Sequence, residues 1–242
     1  MKSKEVLMIV TTFLLLGCKQ EQQLNGRTIL KEAILVHDAN NNWNTTQLNL
    51  HIQEPRKGNP HRYSILNLDN STKAFRLKRN RDQHISEHII ESGGNSFVLL
   101  DGSKNIDSLL IEKYRLNPSR NIGYKKFYHL LYGLPMTLNS WVEKINNTSE
   151  TIFNGEACYK IELVLKEAMF SKHWNVFISK EEKEIKGIEM IVPEKPDGGE
   201  RIYFEGNILV NGINIPRVRH WHEFNSDAYS GSDIIVKEIL IN

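Results

Sequence analysis

The chain has 242 residues, two cysteines and a formal net charge of +2. A charge this close to balance provides no strong basic excess, and this argues against nucleic acid as the main partner. The length suits one large β-rich domain or two small ones. Because no Pro/Gly/Ser-rich linker and no internal repeat divides the body of the chain, we expect one domain.

The first residues have the pattern of a secretory signal followed by a lipid-attachment site. Lys2 and Lys4 precede the apolar run 6–16, which as a helix would extend about 16 Å, too short for a hydrocarbon core of about 30 Å. Leu15-Leu16-Gly17-Cys18 then resembles a bacterial lipobox, which implies cleavage before Cys18 and acylation of that cysteine. A plain secretory signal with an incidental cysteine is the alternative.

We therefore expect a signal peptide at 1–17, a lipidated tether at 18–26 and one β-rich domain at 27–242. The lipid on Cys18 is the only membrane attachment that the sequence offers, since no later stretch is long and apolar enough to span a bilayer. Cys158 then has no partner within the chain, and we expect it to pack as a small buried apolar residue.

The body begins with a predicted helix and continues with predicted strands. Residues 27–39 are predicted to be helical because Ile29, Ala33 and Val36 recur at helical spacing. Alternation of apolar and polar residues, first at Leu48, then predicts a meander of antiparallel strands in five runs: 48–52, 61–68, 73–79, 83–90 and 95–102. The basic run 76–81 within them is interpreted as a solvated strand end.

A helical insert interrupts the strands. Aromatic and apolar residues recur at helical spacing from Tyr124 to Tyr132, with Pro118 near the predicted start and Gly133 and Pro135 at the end. A further short helical turn is predicted within 138–145.

Alternation then returns in four long runs: 149–167, 173–193, 199–224 and 233–241. Asn211-Gly212 is a strong signal for a two-residue hairpin turn, because both positions tolerate a positive φ. The predicted fold class is α+β, with a single curved antiparallel sheet, an amino-terminal helix and a central helical insert.

This layout resembles an uncharacterised lipoprotein family of Bacteroidota, whose markers are Tyr-Gly-Leu-Pro at 132–135 and Gly-Ser-Asp-Ile-Ile at 231–235. That family is similar in layout to the LolA/LolB lipoprotein carriers and receptors. The resemblance implies an unclosed β-barrel, a lid formed by residues 118–145, and non-enzymatic binding of a lipid or of the acyl chains of a lipoprotein. It also implies attachment to the outer membrane through the lipid, facing the periplasm.

Apolar residues of the insert and of the later strands are the candidates for the cavity or its lid: Tyr124, Phe127, Tyr128, Leu131, Tyr132, Leu134, Met136, Trp141, Trp174 and Trp221. Burial in an ordinary core is the alternative for each of them. The turn from Leu134 to Met136 could form a gate, or it could be a helix end that packs against the sheet.

Two histidine patterns raise the possibility of metal chemistry. His84-Ile85-Ser86-Glu87-His88 matches the H-x-x-E-H zinc-protease motif, but that chemistry requires a helix and the flanking residues favour a strand. His220 and His222 share one face of a predicted strand, yet two histidines are too few for a zinc site. We expect no cofactor, no metal and no enzymatic activity. The alternatives are an envelope sensor or scaffold that holds a protein partner on its sheet, and a zinc-dependent hydrolase using His84 and His88.

Overall fold

The computed structural model describes residues 25–195 and 198–238. The predicted signal peptide, Cys18 and nearly all of the tether lie outside these residues and stay predictions. Within the described ranges, no helix combines the length and the apolar character needed to cross a bilayer.

Twelve antiparallel strands form one continuous sheet in the described part of the chain, with the order β5-β4-β3-β2-β1-β12-β11-β10-β9-β8-β7-β6. Because β5 and β6 are edges rather than partners, the sheet is not closed. The strands are β1 Gln47–Arg56, β2 Asn59–Asp69, β3 Phe75–Arg81, β4 His84–Ile90, β5 Ser96–Leu100, β6 Val142–Phe153, β7 Glu156–Met169, β8 Ser171–Ser179, β9 Ile185–Ile191, β10 Gly199–Val210, β11 Ile213–Glu223 and β12 Tyr229–Glu238.

The topology consists of two meanders joined at the centre of the sheet. Strands β1 to β5 form the first meander and β6 to β12 the second, and the pairing of β1 with β12 joins them. Asn211 and Gly212 connect β10 to β11 with φ values of 51° and 79°, as the hairpin signal predicted. The predicted fold class, a single open antiparallel sheet with a few helices, is confirmed.

Helix α1, Gly26–His37, is capped by Asn25, whose side chain accepts hydrogen bonds from the backbone N–H groups of Arg27 and Thr28. Its last residue is buried, and the imidazole bonds to two strands. His37 Nδ1 donates to the carbonyl of Asn214 at 2.7 Å, and Nε2 accepts from the backbone N–H of Ile185 at 3.1 Å. Burial lowers the pKa of His37, so the neutral ring is the form that connects the helix to the sheet.

Three further helices connect β5 to β6 in the sequence: α2 Ser108–Tyr114, α3 Asn121–Tyr132 and α4 Leu138–Trp141. Helix α2 was not predicted, because it has only seven residues and buries only Tyr114 among them. Helix α3 was predicted. The predicted helical turn within 138–145 is correct only up to Trp141, because residues 142–145 begin β6.

Cys158 is fully buried in a cluster with Phe153 and Phe177, as predicted. The largest apolar cluster lies on the other side of the sheet and includes α1, α3, α4 and Trp43. Gly133 ends α3 directly against the Trp43 indole. An added Cβ at Gly133 would lie 2.2 Å from Trp43 Cζ2 and 2.5 Å from Thr137 Cγ2, so only glycine fits here.

Two alanine substitutions on the same helix test this close packing. Gly133→Ala should lower the free energy of unfolding by about 1–3 kcal/mol, because a methyl group must displace a buried indole. Gly123→Ala adds the same methyl where no atom lies within 4 Å, and it should raise stability by about 0.5–1 kcal/mol through helix propensity. Urea unfolding of both variants measures the effect, and changes of the same sign would contradict the packing.

Candidate ligand-binding cavity

A cavity of about 610 Å³ lies between α3, the central strands of the sheet and the β7–β8 turn. This volume is within the range of small-molecule sites in proteins. Its lining combines aromatic side chains with an unusual number of charged ones: Glu54, Arg56, Arg62, Arg79, Arg115, Ser119, Arg120, Gly123, Tyr124, Phe127, Tyr128, Met169, Phe170, Glu200, Trp221, Ser230 and Asp233.

The face of the sheet that packs against α3, here called the inner face, changes from apolar to charged along its strands. On β1 the inward positions Leu48, Leu50 and Ile52 are followed by Glu54, and all four are buried. The neighbouring strands change in the same direction across the paired register, through Leu68, Leu66 and Ser64 on β2 and Phe75, Leu77 and Arg79 on β3. One end of the inner face is therefore core, and the other borders the cavity.

Glu54 is the centre of the charged end. Its Oε1 lies 2.8 Å from Arg79 Nη2 and accepts a 2.5 Å hydrogen bond from the Ser64 hydroxyl. Its Oε2 lies 2.9 Å from Arg62 Nη2. Burial favours the neutral acid, but the guanidinium charges outweigh it and hold the pKa of Glu54 below its ordinary value. The carboxylate is therefore ionised, although it is only 2% exposed.

A second buried carboxylate contacts side chains of the neighbouring strands. Asp233 on β12 pairs with Arg56 of β1 at 2.5 Å and accepts a hydrogen bond from the Trp221 indole N–H at 3.0 Å. Asp233 is 5% exposed and Trp221 is 8% exposed. The indole is thus oriented by its hydrogen bond, and its ring borders the cavity.

Polar contacts bind α3 to the inner face. Arg79 donates to the Tyr128 hydroxyl, and burial raises the pKa of that tyrosine. Arg219 on β11 is fully buried, stacks on Tyr132 at 3.9 Å and donates to the Leu131 carbonyl at 3.5 Å. Lifting α3 from the sheet would leave both guanidinium groups without these partners, so the helix is held more firmly than by apolar packing alone.

Aromatic rings form the apolar wall of the cavity. Phe127 on α3 lies between Trp221 and Phe170, with ring centroids 6.3 Å and 5.5 Å away. Phe170 is 66% exposed and has a φ of 60° in the turn between β7 and β8. A bulky residue with positive φ is a rare and strained conformation. The ring is therefore held at the border of the cavity at some expense to backbone energy.

The structure brings four of the predicted site residues to this cavity: Tyr124, Phe127, Tyr128 and Trp221. Five others are buried in the core and do not border it: Leu131, Tyr132, Leu134, Met136 and Trp174. Trp141 is half-buried against the same core. The turn from Leu134 to Met136 is thus packed against the protein rather than projecting. A ligand-binding role for all ten residues stays a prediction.

The charged residues of the cavity were missed, and one interpretation was wrong. The basic run 76–81 is not simply a solvated strand end, because Arg79 is 5% exposed and pairs with Glu54. A signal was present: continuing the alternation of Leu48, Leu50 and Ile52 by two residues places Glu54 inward. Phe170 had no comparable signal, since its position depends on the turn conformation.

The H-x-x-E-H residues lie on strand β4, so the helical geometry of a zinc protease is absent there. Buried His88 donates from Nδ1 to Asn121 Oδ1 at 2.7 Å, while Glu87 pairs with Arg76 and Lys78. His220 contacts Ser232 and Glu205, and His222 contacts Asp227. No group of three or more potential metal ligands occurs among residues 25–195 and 198–238.

A model described as "Family of unknown function (DUF6503)" matches residues 2–238. The chain belongs to this family. No curated protein matches it. Among solved structures, the fold is similar to a putative outer membrane lipoprotein-sorting protein domain from Vibrio parahaemolyticus, with a TM-score of 0.53 and 11% identity over 88% of this chain and 90% of that one. It is also similar to a LolA superfamily protein from Nitrosomonas europaea, with a TM-score of 0.50 and 8% identity over 90% and 94%. This member of the DUF6503 family therefore has a LolA-like fold.

Replacing Glu54 by glutamine tests the buried ion cluster. Arg79 would be left buried without a counter-charge, so Glu54→Gln should lower the free energy of unfolding by about 3–5 kcal/mol. Glu87→Gln is the matched control, because Glu87 is also buried but the side chains of Arg76 and Lys78 are 50% and 44% exposed and stay hydrated. It should lose about 1 kcal/mol or less. Equal losses in urea unfolding would contradict the role of Glu54.

The lowered pKa of buried His88 predicts that the protein loses stability in mild acid. Burial lowers its pKa to about 4 from 6.5. As the pH falls from about 6.5 to about 4, the unfolded state binds a proton that the native state does not, so stability is lost on acidification. The difference corresponds to about 3 kcal/mol. Denaturant unfolding across this window should show a shallower pH dependence for His88→Gln than for the wild type, and an unchanged one for exposed His61→Gln. Parallel pH profiles for wild type and His88→Gln would disprove the assignment.

Proposed function

We propose that this protein is a non-enzymatic, lipid-anchored protein of the cell envelope that binds an apolar chain in the cavity beside α3. The chain would belong to a lipid or to an acylated protein. The observation that carries the proposal is the cavity of about 610 Å³ with an aromatic wall formed by Phe127, Phe170 and Trp221. The LolA-like fold supports it, since the name of one neighbour refers to lipoprotein sorting.

Burial of hydrocarbon would supply the affinity. Each methylene group transferred from water contributes about 0.8 kcal/mol, so an acyl chain of about fifteen methylenes gains on the order of 12 kcal/mol before entropy losses. Strained Phe170 contributes apolar area at the border of the cavity rather than in the core. The proposal includes acylation of Cys18 and a position at the outer membrane facing the periplasm, which agrees with the predicted signal peptide at 1–17.

Helix α3 packs on the inner face of the sheet and occupies part of the concave surface that a partner protein would need. For this reason we do not propose the scaffold alternative. Strand β4 likewise provides no helix for zinc-dependent hydrolysis, and binding is the function that the geometry supports best.

Native mass spectrometry of residues 19–242, secreted without Cys18, tests the proposal directly. We expect a co-purified lipid that organic extraction removes, and renewed uptake of a neutral single-chain amphiphile such as dodecyl glucoside. A clean mass together with no uptake of dodecyl glucoside, fatty acid or phospholipid would refute the binding function.

A substitution at the cavity border locates the binding. Phe170→Asn removes the ring, and asparagine tolerates the positive φ, so the fold should be retained or slightly stabilised. Its affinity for dodecyl glucoside should fall about tenfold, because about 1.4 kcal/mol of apolar contact is lost. Leu209→Asn is the control, since Leu209 is 65% exposed and does not border the cavity. Equal affinities of the two variants would place the ligand elsewhere.

A further inference from the structure

We propose that the ligand is an anionic amphiphile, whose carboxylate or phosphate head is bound by Arg115 and Arg120 while its chain occupies the same cavity. This inference rests on the proposed function and specifies its ligand class. It goes beyond an apolar cavity, because it assigns a charge to the ligand and a position to that charge.

The first observation is the charge of the cavity. Five arginines border it against three carboxylates, an excess of two positive charges. The whole chain has a formal net charge of only +2, so this single cavity contains a local excess as large as that of the entire protein.

The second observation is that only some of the arginines at the cavity are paired with carboxylates. Glu54 and Asp233 pair with Arg79, Arg62 and Arg56. Arg115 and Arg120, by contrast, are exposed, and their guanidinium groups make no ion pair or hydrogen bond with any of the described residues. These two side chains are therefore available to an anion from solution.

The third observation is the backbone around these two arginines. Arg120 ends a 3₁₀ turn, Pro118–Arg120, that leads directly into α3, and Ser119 beside it also borders the cavity. The amino end of a helix carries a partial positive charge that favours anions. Arg115 ends α2 with a φ of 58°. Two successive helix junctions thus bring both guanidinium groups to the border of one cavity.

The chemistry of guanidinium groups selects the head group. Guanidinium binds planar carboxylates and phosphates through paired charge-assisted hydrogen bonds. A fatty acid and a monoalkyl phosphate both present such oxygens next to a single apolar chain. A neutral glyceride or glycoside does not, and it would leave the arginines unpaired.

Amphiphiles that share the dodecyl chain but differ in head group show how much each part contributes to the affinity. We would titrate the secreted protein, residues 19–242, with dodecyl phosphate, dodecanoate and dodecyl glucoside below their micellar concentrations, and with inorganic phosphate. Both anionic probes should bind at least about tenfold more tightly than the glucoside at low salt, and the advantage should shrink as salt is added. Inorganic phosphate should bind at least about 100-fold more weakly than dodecyl phosphate.

Two double variants test whether Arg115 and Arg120 cause the preference for anionic probes. Arg115→Gln/Arg120→Gln should reduce the anionic advantage to within about twofold, because the affinity for the two anionic probes falls towards that for dodecyl glucoside. Arg27→Gln/Lys31→Gln on α1 removes the same charge from exposed positions outside the cavity, and it should retain the advantage.

The outcomes distinguish this inference from the proposed function. Equal binding of anionic and neutral probes would overturn the anionic head group and leave the apolar binding function intact. Loss of glucoside binding in the Arg115/Arg120 variant would show that these residues act through the fold, and would also overturn it. Inorganic phosphate binding as tightly as dodecyl phosphate would define a phosphate site without an amphiphile. If no dodecyl probe binds, the proposed function itself fails.

Discussion

Arg79 and Arg219 carry charges that the fold has removed almost completely from water, with exposures of 5% and 0%, and both find partners on α3. Burying a cation is costly, and contacts with polar groups and aromatic rings reduce that cost. Arg79 donates to the Tyr128 hydroxyl, and Arg219 donates to the Leu131 carbonyl and stacks on the Tyr132 ring. The requirement for these partners determines where the helix lies on the sheet.

This arrangement divides α3 into two parts with different surroundings. The carboxyl-terminal part, with Leu130, Leu131 and Tyr132, is buried in the main core. In the amino-terminal part, Ile122 is 59% exposed, and Gly123 has no atom within 4 Å of an added Cβ. The cavity opens along this looser part. One helix therefore completes the core at one end and leaves space for a ligand at the other.

Much of this fold is predictable from local pattern because most strands alternate in the ordinary way. Leu48, Leu50 and Ile52 identify the inner face of β1, and Asn211-Gly212 identifies a hairpin. The cavity is less predictable because its residues depart from such rules. Charged Glu54 and Arg79 occupy inward positions, and Phe170 has a positive φ. Tyr124, Phe127, Tyr128 and Trp221 were found because large aromatics are conspicuous, but sequence alone could not separate them from core residues such as Tyr132 and Trp174.

The charged end of the inner face is the clearest sign that stability alone did not shape this site. Replacing a buried ion cluster with well-packed apolar residues is often neutral or stabilising. Alternation on β1 to β3 would accept apolar residues at Glu54, Ser64 and Arg79, and the LolA-like sheet would still form. What such a sheet would lack is a cavity bordered by aromatic rings on one side and by guanidinium groups on the other. A purely apolar chain requires only the first of these borders. The second border matches the anionic head group that we propose for the bound molecule.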